Sequence, residues 1–418
     1  MLTMAERLPV DRMRKAASAF LGFMPLGLPF VAMALFVNAG EIKGDKRLAG
    51  LPDLTAVMAG LVALLVARNW MKGRRFPALL PPLAMAAWFL TFLPGVLQVV
   101  GSVAAQEKIT FLFSLTLLAA FAPMVLLRSR DDLRRAVAGF ALVGVLFTAQ
   151  ALWNLLTVGP DADGRLTVFG STTITLGRHA TYLMLYSAVI LWDPRESLRT
   201  PVALPLLLVA AFISVSSGSR GPLGAGVITL AFMLLFPGPK RKLWGPKTLI
   251  FLAALPFIAS ASLVLMPKTS VARIEMMIEG RSGYSDQYRK EAAAKTFEHI
   301  QSHPLGTGFG SFPLEIEGHI SGHGRTYPHN ILLELALEAG WAAGLTMLAL
   351  VFGSLFYLWR HCTEPGPRMV FIGLFFSLIN CLVSGDVNDN RALFFHLALA
   401  LCAPYLPDGS GAAGTETA

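Results

Sequence analysis

Long apolar runs, separated by short clusters of basic residues, recur along the whole 418-residue chain. They lie near residues 19–37, 51–67, 77–95, 109–127, 136–157, 177–192, 201–217, 222–237, 248–266, 340–359, 367–384 and 391–406. Each approaches the roughly 20 residues that a helix needs to cross ~30 Å of hydrocarbon. Within lipid every backbone N–H and C=O must be satisfied inside the segment, so runs of this length are expected to be helices. Composition agrees. The chain is 54% hydrophobic and 15% charged, whereas soluble domains carry roughly 25% charged residues. The expected fold class is an all-α polytopic membrane protein of about 12 transmembrane helices. Several runs are short or proline-interrupted (Pro25, Pro29, Pro81, Pro82), which neighbouring helices can tolerate. The first run follows Arg7, Arg12, Arg14 and Lys15 and reads as a retained helix, not a cleaved signal.

The formal charge of +9 could point to nucleic acid, but its placement argues against that partner. An even number of crossings puts both termini on one side, and the N-terminal tail with the even-numbered loops holds 20 Lys and Arg residues. The short odd-numbered loops hold 8, and a further 7 lie in the long segment 267–327, which charge counting exempts. Both termini are therefore expected in the cytoplasm, with the odd-numbered loops outside. Cys362, Cys381 and Cys402 lie at or within late apolar runs and fit no disulfide or metal spacing, so they read as small buried residues.

The chain then divides into helices 1–9 over 1–266, a large outer loop over 267–327, a surface helix with helices 10–12 over 328–406, and a tail, 407–418, expected to be disordered. Within the large loop, Arg273 to Glu279 and Ser285 to His299 read as amphipathic helices, followed by a glycine-rich turn, HPLGTGFGSF. A loop of this length with its own helices fits a lid or a site wall. A second outer loop, 158–176, is shorter.

Polar residues gather on this outer side. Arg220 sits in SVSSGSRGPLGAG at a tight turn between two helices, and its fork of donors suits phosphate or an interfacial anchor. Arg289, in SGYSDQYRKEAAAKTF, is three residues from Asp286, a spacing that also suits a surface ion pair. Arg178 and His179, in TLGRHATY, stand where the sixth helix begins and fit either snorkelling or binding. His329 follows Pro328 at the start of an amphipathic pattern, where the helix dipole favours the neutral imidazole. His303, His319, His323, His361 and His396 compete with it. Asp386 and Asp389, in SGDVNDNRALFF, could hold a divalent cation or simply cap their turn. The chain has no GxGxxG, Walker, HExxH or Cys/His pattern, so no cofactor and no metal is expected.

Three stretches together carry a resemblance. They are SxxSGSRG at 214–221, the Arg289 helix running into HPLGTGFGSF at 303–312, and HNILLELALEAGWAAG at 329–344. In order and spacing they resemble the O-antigen ligases and their relatives, the Wzy-type polymerases and bacterial O-linking oligosaccharyltransferases. The resemblance covers roughly residues 150–385. It implies a GT-C-like glycosyltransferase in the cell inner membrane with its site facing the periplasm. The donor would be an O-antigen on undecaprenyl diphosphate and the acceptor a sugar hydroxyl of lipid A-core. By position, Arg220 and Arg289 would bind the donor diphosphate and His329 would be the catalytic base. Arg178, His179, Asn330, Asp386 and Asp389 complete the candidates for substrate binding. Where the resemblance leads one to expect an aromatic after Arg289, the chain has KEAAAK. A flippase or transporter is the rival class, but it would place charges along a path through the membrane. Here the helix interiors are nearly free of them, His396 being the main exception.

Overall fold

The computed structural model describes residues 26–42, 52–99, 101–159, 166–192, 200–235, 279, 284–317, 327–362 and 364–407. Among these residues every regular element is a helix. Five helical stretches are long and apolar enough to cross a membrane: Leu54–Met71, Leu80–Leu97, Val103–Leu126, Arg130–Thr157 and Trp341–Arg360. Shorter apolar helices occupy most of the other expected runs. The expected span 248–266, the helix Arg273 to Glu279 and the tail beyond 407 lie outside the described residues.

The helices form two compact units, each discontinuous in sequence. One comprises Met1–Leu51 and Arg134–Pro267, the other Pro52–Leu133 and Lys268–Ala418.

The first unit contains α1 (Leu28–Ile42), most of α7 (Arg130–Thr157), α8 (Thr173–Trp192), α9 (Thr200–Ser216) and α10 (Arg220–Leu235). Helix α8 is buried along nearly its whole length. Small residues make this possible, since lipid offers no hydrophobic drive between apolar helices and close approach must supply the cohesion. A side chain at Gly144 of α7 would meet the His179 carbonyl at 2.8 Å, so only glycine lets α7 and α8 touch there. Polar contacts add to this, as Thr181 of α8 shares a 2.5 Å hydroxyl bond with Ser214 of α9.

The second unit contains α2 (Leu54–Met71), α3 (Leu80–Leu90), α4 (Leu93–Leu97), α5 (Val103–Phe111) and α6 (Leu117–Leu126). The later part of the chain adds α11 (Tyr284–Ser302), α12 (Phe312–Glu315), α13 (Ile331–Ala339), α14 (Trp341–Arg360), α15 (Pro365–Cys381) and α16 (Arg391–Cys402). Asp53 caps α2, its carboxylate accepting the N–H of Thr55 at 2.7 Å. Pro81 and Pro82 do not interrupt a helix. They open α3, in the first turn, where a missing N–H costs nothing. A π-helical turn, Leu112–Thr116, joins α5 to α6. The core is aromatic: Trp88 is fully buried, stacks on Phe394 at 4.9 Å and donates its indole N–H to the Ala343 carbonyl at 3.0 Å. Cys362, Cys381 and Cys402 are free thiols buried in the packing, as read from the sequence.

Candidate functional site

In the first unit, the turn between α9 and α10 is held by its own serines. The Ser217 hydroxyl donates to the Ser214 carbonyl at 2.8 Å and accepts the Ser219 N–H at 3.2 Å. Gly218, at φ +65°, reverses the chain. These bonds bury Ser217 and Ser219 and leave Arg220 exposed at the first position of α10. The start of α8 lies against the same turn, because a side chain at Gly177 would meet Ser217 Oγ at 3.0 Å and Ser219 Cβ at 3.1 Å. Arg178 and His179 therefore belong to the same end of this unit as Arg220. Arg178 is half-buried.

His179 is not at a surface. Its Nε2–H donates to Glu41 Oε2 at 2.5 Å, and its ring lies 4.2 Å from the ring of Phe147. Phe147 in turn meets Phe169, whose φ of +52° belongs to a tight turn with Gly170. Sequence reading missed Glu41, which lies 138 residues away in the polar stretch NAGEIKGD.

In the second unit, α13 carries the HNILLELALE pattern. The helix begins at Ile331, not at His329. Asn330 is its cap, and Oδ1 accepts the N–H groups of Leu332 and Leu333 at 3.0 and 3.2 Å. This gives Asn330 a local structural task. His329, one residue outside the helix, is buried to 6% exposure and has a left-handed backbone at φ +59°. That conformation costs a non-glycine residue roughly 1–2 kcal/mol and is found where the surroundings impose it. Its ring meets Tyr327 edge-on at 4.6 Å.

Arg289 lies half-buried on α11, which docks on α13 through Tyr288, Ala292, Ile300, Ala336 and Leu337. The alternative ion pair to Asp286 involves a side chain outside the described ones. The unit thus brings the Arg289 helix and the His329 segment together. Of the competing histidines, His303, His361 and His396 each bond to the carbonyl four residues earlier, while His319 and His323 lie outside the described residues.

The glycine-rich turn anchors the far end of α13. A helix leaves its last carbonyls without partners. Here Thr307 and Gly308 donate to the carbonyls of Leu337 and Glu338 at 2.7 and 3.1 Å, and Phe309 donates to Gly95 at 3.1 Å. The sequence also gave no sign that Lys108 of α5 reaches Glu334 and Glu338, 226 and 230 residues on, at 2.5 and 2.6 Å. Burial raises both carboxyls, that of Glu334 to about 8, with the Lys108 ammonium opposing and Asp386 adding to the rise. Asp386 caps its own turn by accepting the Asp389 N–H at 2.7 Å, and Asp389 is exposed.

Comparison with known proteins bears on the kinship of this segment. Residues 205–347 match the family model Wzy_C, described as O-Antigen ligase. The match covers part of the chain and supports its kinship with the O-antigen ligase superfamily. The matched segment runs from α9 into α14 and contains Arg220, Arg289 and His329. No curated protein matches the chain. The family match suggests a glycosyltransferase-like ligase, and with the apolar helices it implies a multi-pass inner-membrane protein.

Proposed function

We propose that the chain transfers a glycan from undecaprenyl diphosphate to a sugar hydroxyl of lipid A-core, in lipopolysaccharide biosynthesis, at the periplasmic face of the inner membrane. The observation that carries the reading is the state of His329 within the matched segment. It is buried, left-handed in backbone and fixed between Pro328 and the capping Asn330, a costly placement for a residue with no task. The membrane arrangement proposed with it is GT-C-like, with about 12 crossings, both termini cytoplasmic and the large loop outside.

The chemistry needs two things. The acceptor oxygen attacks the anomeric carbon as the bond from that carbon to the diphosphate oxygen breaks, and the diphosphate leaves with the electron pair. Arg220 and Arg289 meet its charge, a task that guanidinium groups perform through planar, paired donors. His329 takes the hydroxyl proton, which is worth about two to four orders of magnitude in rate. A single displacement with one base inverts the anomeric configuration and calls for no metal. Arg178 stands beside the Arg220 turn and supports donor binding, and His179 and its partner Glu41 brace that corner from within.

A lipopolysaccharide gel from a deletion strain tests the reading. Loss of capped core with lipid-linked polymer retained is the expected result. A core capped by one repeat unit would make the protein a polymerase. Normal lipopolysaccharide with loss of glycosylated protein would make it a protein O-oligosaccharyltransferase, and lipid-linked glycan trapped on the cytoplasmic side would make it a flippase.

A further inference from the structure

Lys108, Glu334 and Glu338 form a closed group in the second unit. The Lys108 ammonium donates to Glu338 Oε1 at 2.8 Å and lies 2.6 Å from its other oxygen and 2.5 Å from Glu334 Oε1. Glu338 also accepts the Gly310 N–H at 3.2 Å. The side chains of Glu334 and Glu338 are 1% and 0% exposed, and that of Lys108 is 9% exposed. Both Glu334 oxygens and Glu338 Oε2 are buried with no hydrogen-bond partner, Glu334 Oε1 and Glu338 Oε2 having only the ion-pair contact to Lys108. Two carboxylates face one cation, so full ionisation would leave a net negative charge out of contact with water. A buried unpaired charge is strongly unfavourable and is normally removed by taking up a proton.

We propose that Lys108, Glu334 and Glu338 are positioning residues for the transfer, a triad holding one proton on Glu334 that fixes α13 and, through it, His329. The inference rests on the functional reading above. Glu338 is the anion, because its Oε1 accepts both the ammonium and a backbone N–H. Glu334 is the acid, because neither of its oxygens accepts a hydrogen bond and its Oε2 lies away from the ammonium. The groups facing Glu334 are Lys108 from α5, Glu338 from its own helix and Asp386 from the turn before α16. That turn is tied to α5 by Asn388, whose side-chain amide donates to the Lys108 carbonyl at 2.9 Å. The α13 dipole favours ionisation of Glu334 in its first turn. Burial and the two neighbouring carboxylates oppose it and push the Glu334 carboxyl up. The triad holds α13 in both its turns, Glu334 in the first and Glu338 in the second, while Asn330 and His329 stand just ahead of Glu334.

The consequence separates Glu334 from the base. A histidine base gives a rate that rises with pH and then levels. Loss of the Glu334 proton gives a fall at the alkaline end, approaching tenfold per pH unit for one ionisation. The test compares purified wild type with Glu334→Gln, each normalised to its own transfer rate at neutral pH, together with the carboxylic C=O band in the infrared spectrum. Wild type should lose rate above about pH 8, while Glu334→Gln stays level and lacks one carboxylic band. Lys108→Met should slow transfer by about a hundredfold, and Lys108→Met with Glu338→Gln should recover about tenfold of that, since a neutral pair replaces an abandoned charge. Superimposed pH profiles, or no band lost in Glu334→Gln, would overturn the triad. Wild type that transfers no glycan at any pH would instead overturn the functional reading.

Discussion

Two glycine-bearing turns stand in the matched segment, and they are put to opposite use. The turn at 217–220 spends its internal bonds on burying two serines and leaves a guanidinium exposed at the start of a helix. The turn at 304–310 presents no charge. The N–H groups of Thr307, Gly308 and Phe309 are taken up by the carbonyls of α13 and α4, and a side chain at Gly308 would lie 1.9 Å from the Gln98 carbonyl. Glycine permits close approach in both, but the approaching group in the second is the protein's own backbone. Of the two turns, only the first leaves a charged side chain exposed.

The comparison can be broken most severely at Gly308. Gly308→Ala adds a clash with backbone at φ +96°, so it should cost roughly 3 kcal/mol or more and remove most of the folded protein. Thermal melting in detergent checks this, and a melting point near that of the wild type would show that the turn yields. Arg220→Lys comes next. It keeps the charge and loses the planar fork, so transfer should fall by about tenfold or more with melting unchanged. Equal transfer would reduce Arg220 to an interfacial anchor. The smallest effect belongs to Gly218→Ala, where the strain of a φ of +65° should cost roughly 1–2 kcal/mol. A loss as large as that at Gly308 would mean that the two turns differ less than their packing indicates.

Much of the helical layout is legible in the length of the apolar runs, because a span of lipid imposes length and composition directly on sequence. Ser285 to His299 anticipated α11, Tyr284–Ser302, closely. The amphipathic pattern from 331 is legible too, although the helix begins at Ile331, after Asn330 as its cap, and not at His329. What could not be read depends on pairing across the chain. Glu41 reaches His179 and Lys108 reaches Glu338, and neither partner's neighbourhood in sequence names the other. The discontinuous units have the same origin, since α2 to α6 pack with the C-terminal helices. The backbone at His329 was invisible too. A left-handed φ at a residue other than glycine is imposed by surroundings, and no local pattern encodes it.

The central claim is that His329 acts on the acceptor proton while the arginines hold the donor. It is tested most directly on purified His329→Ala, by measuring lipid-diphosphate donor binding and glycan transfer on the same preparation. The account predicts donor affinity close to that of the wild type with transfer slowed by about a hundredfold or more. Weakened binding with normal turnover per bound donor, or transfer close to the wild-type rate, would contradict it.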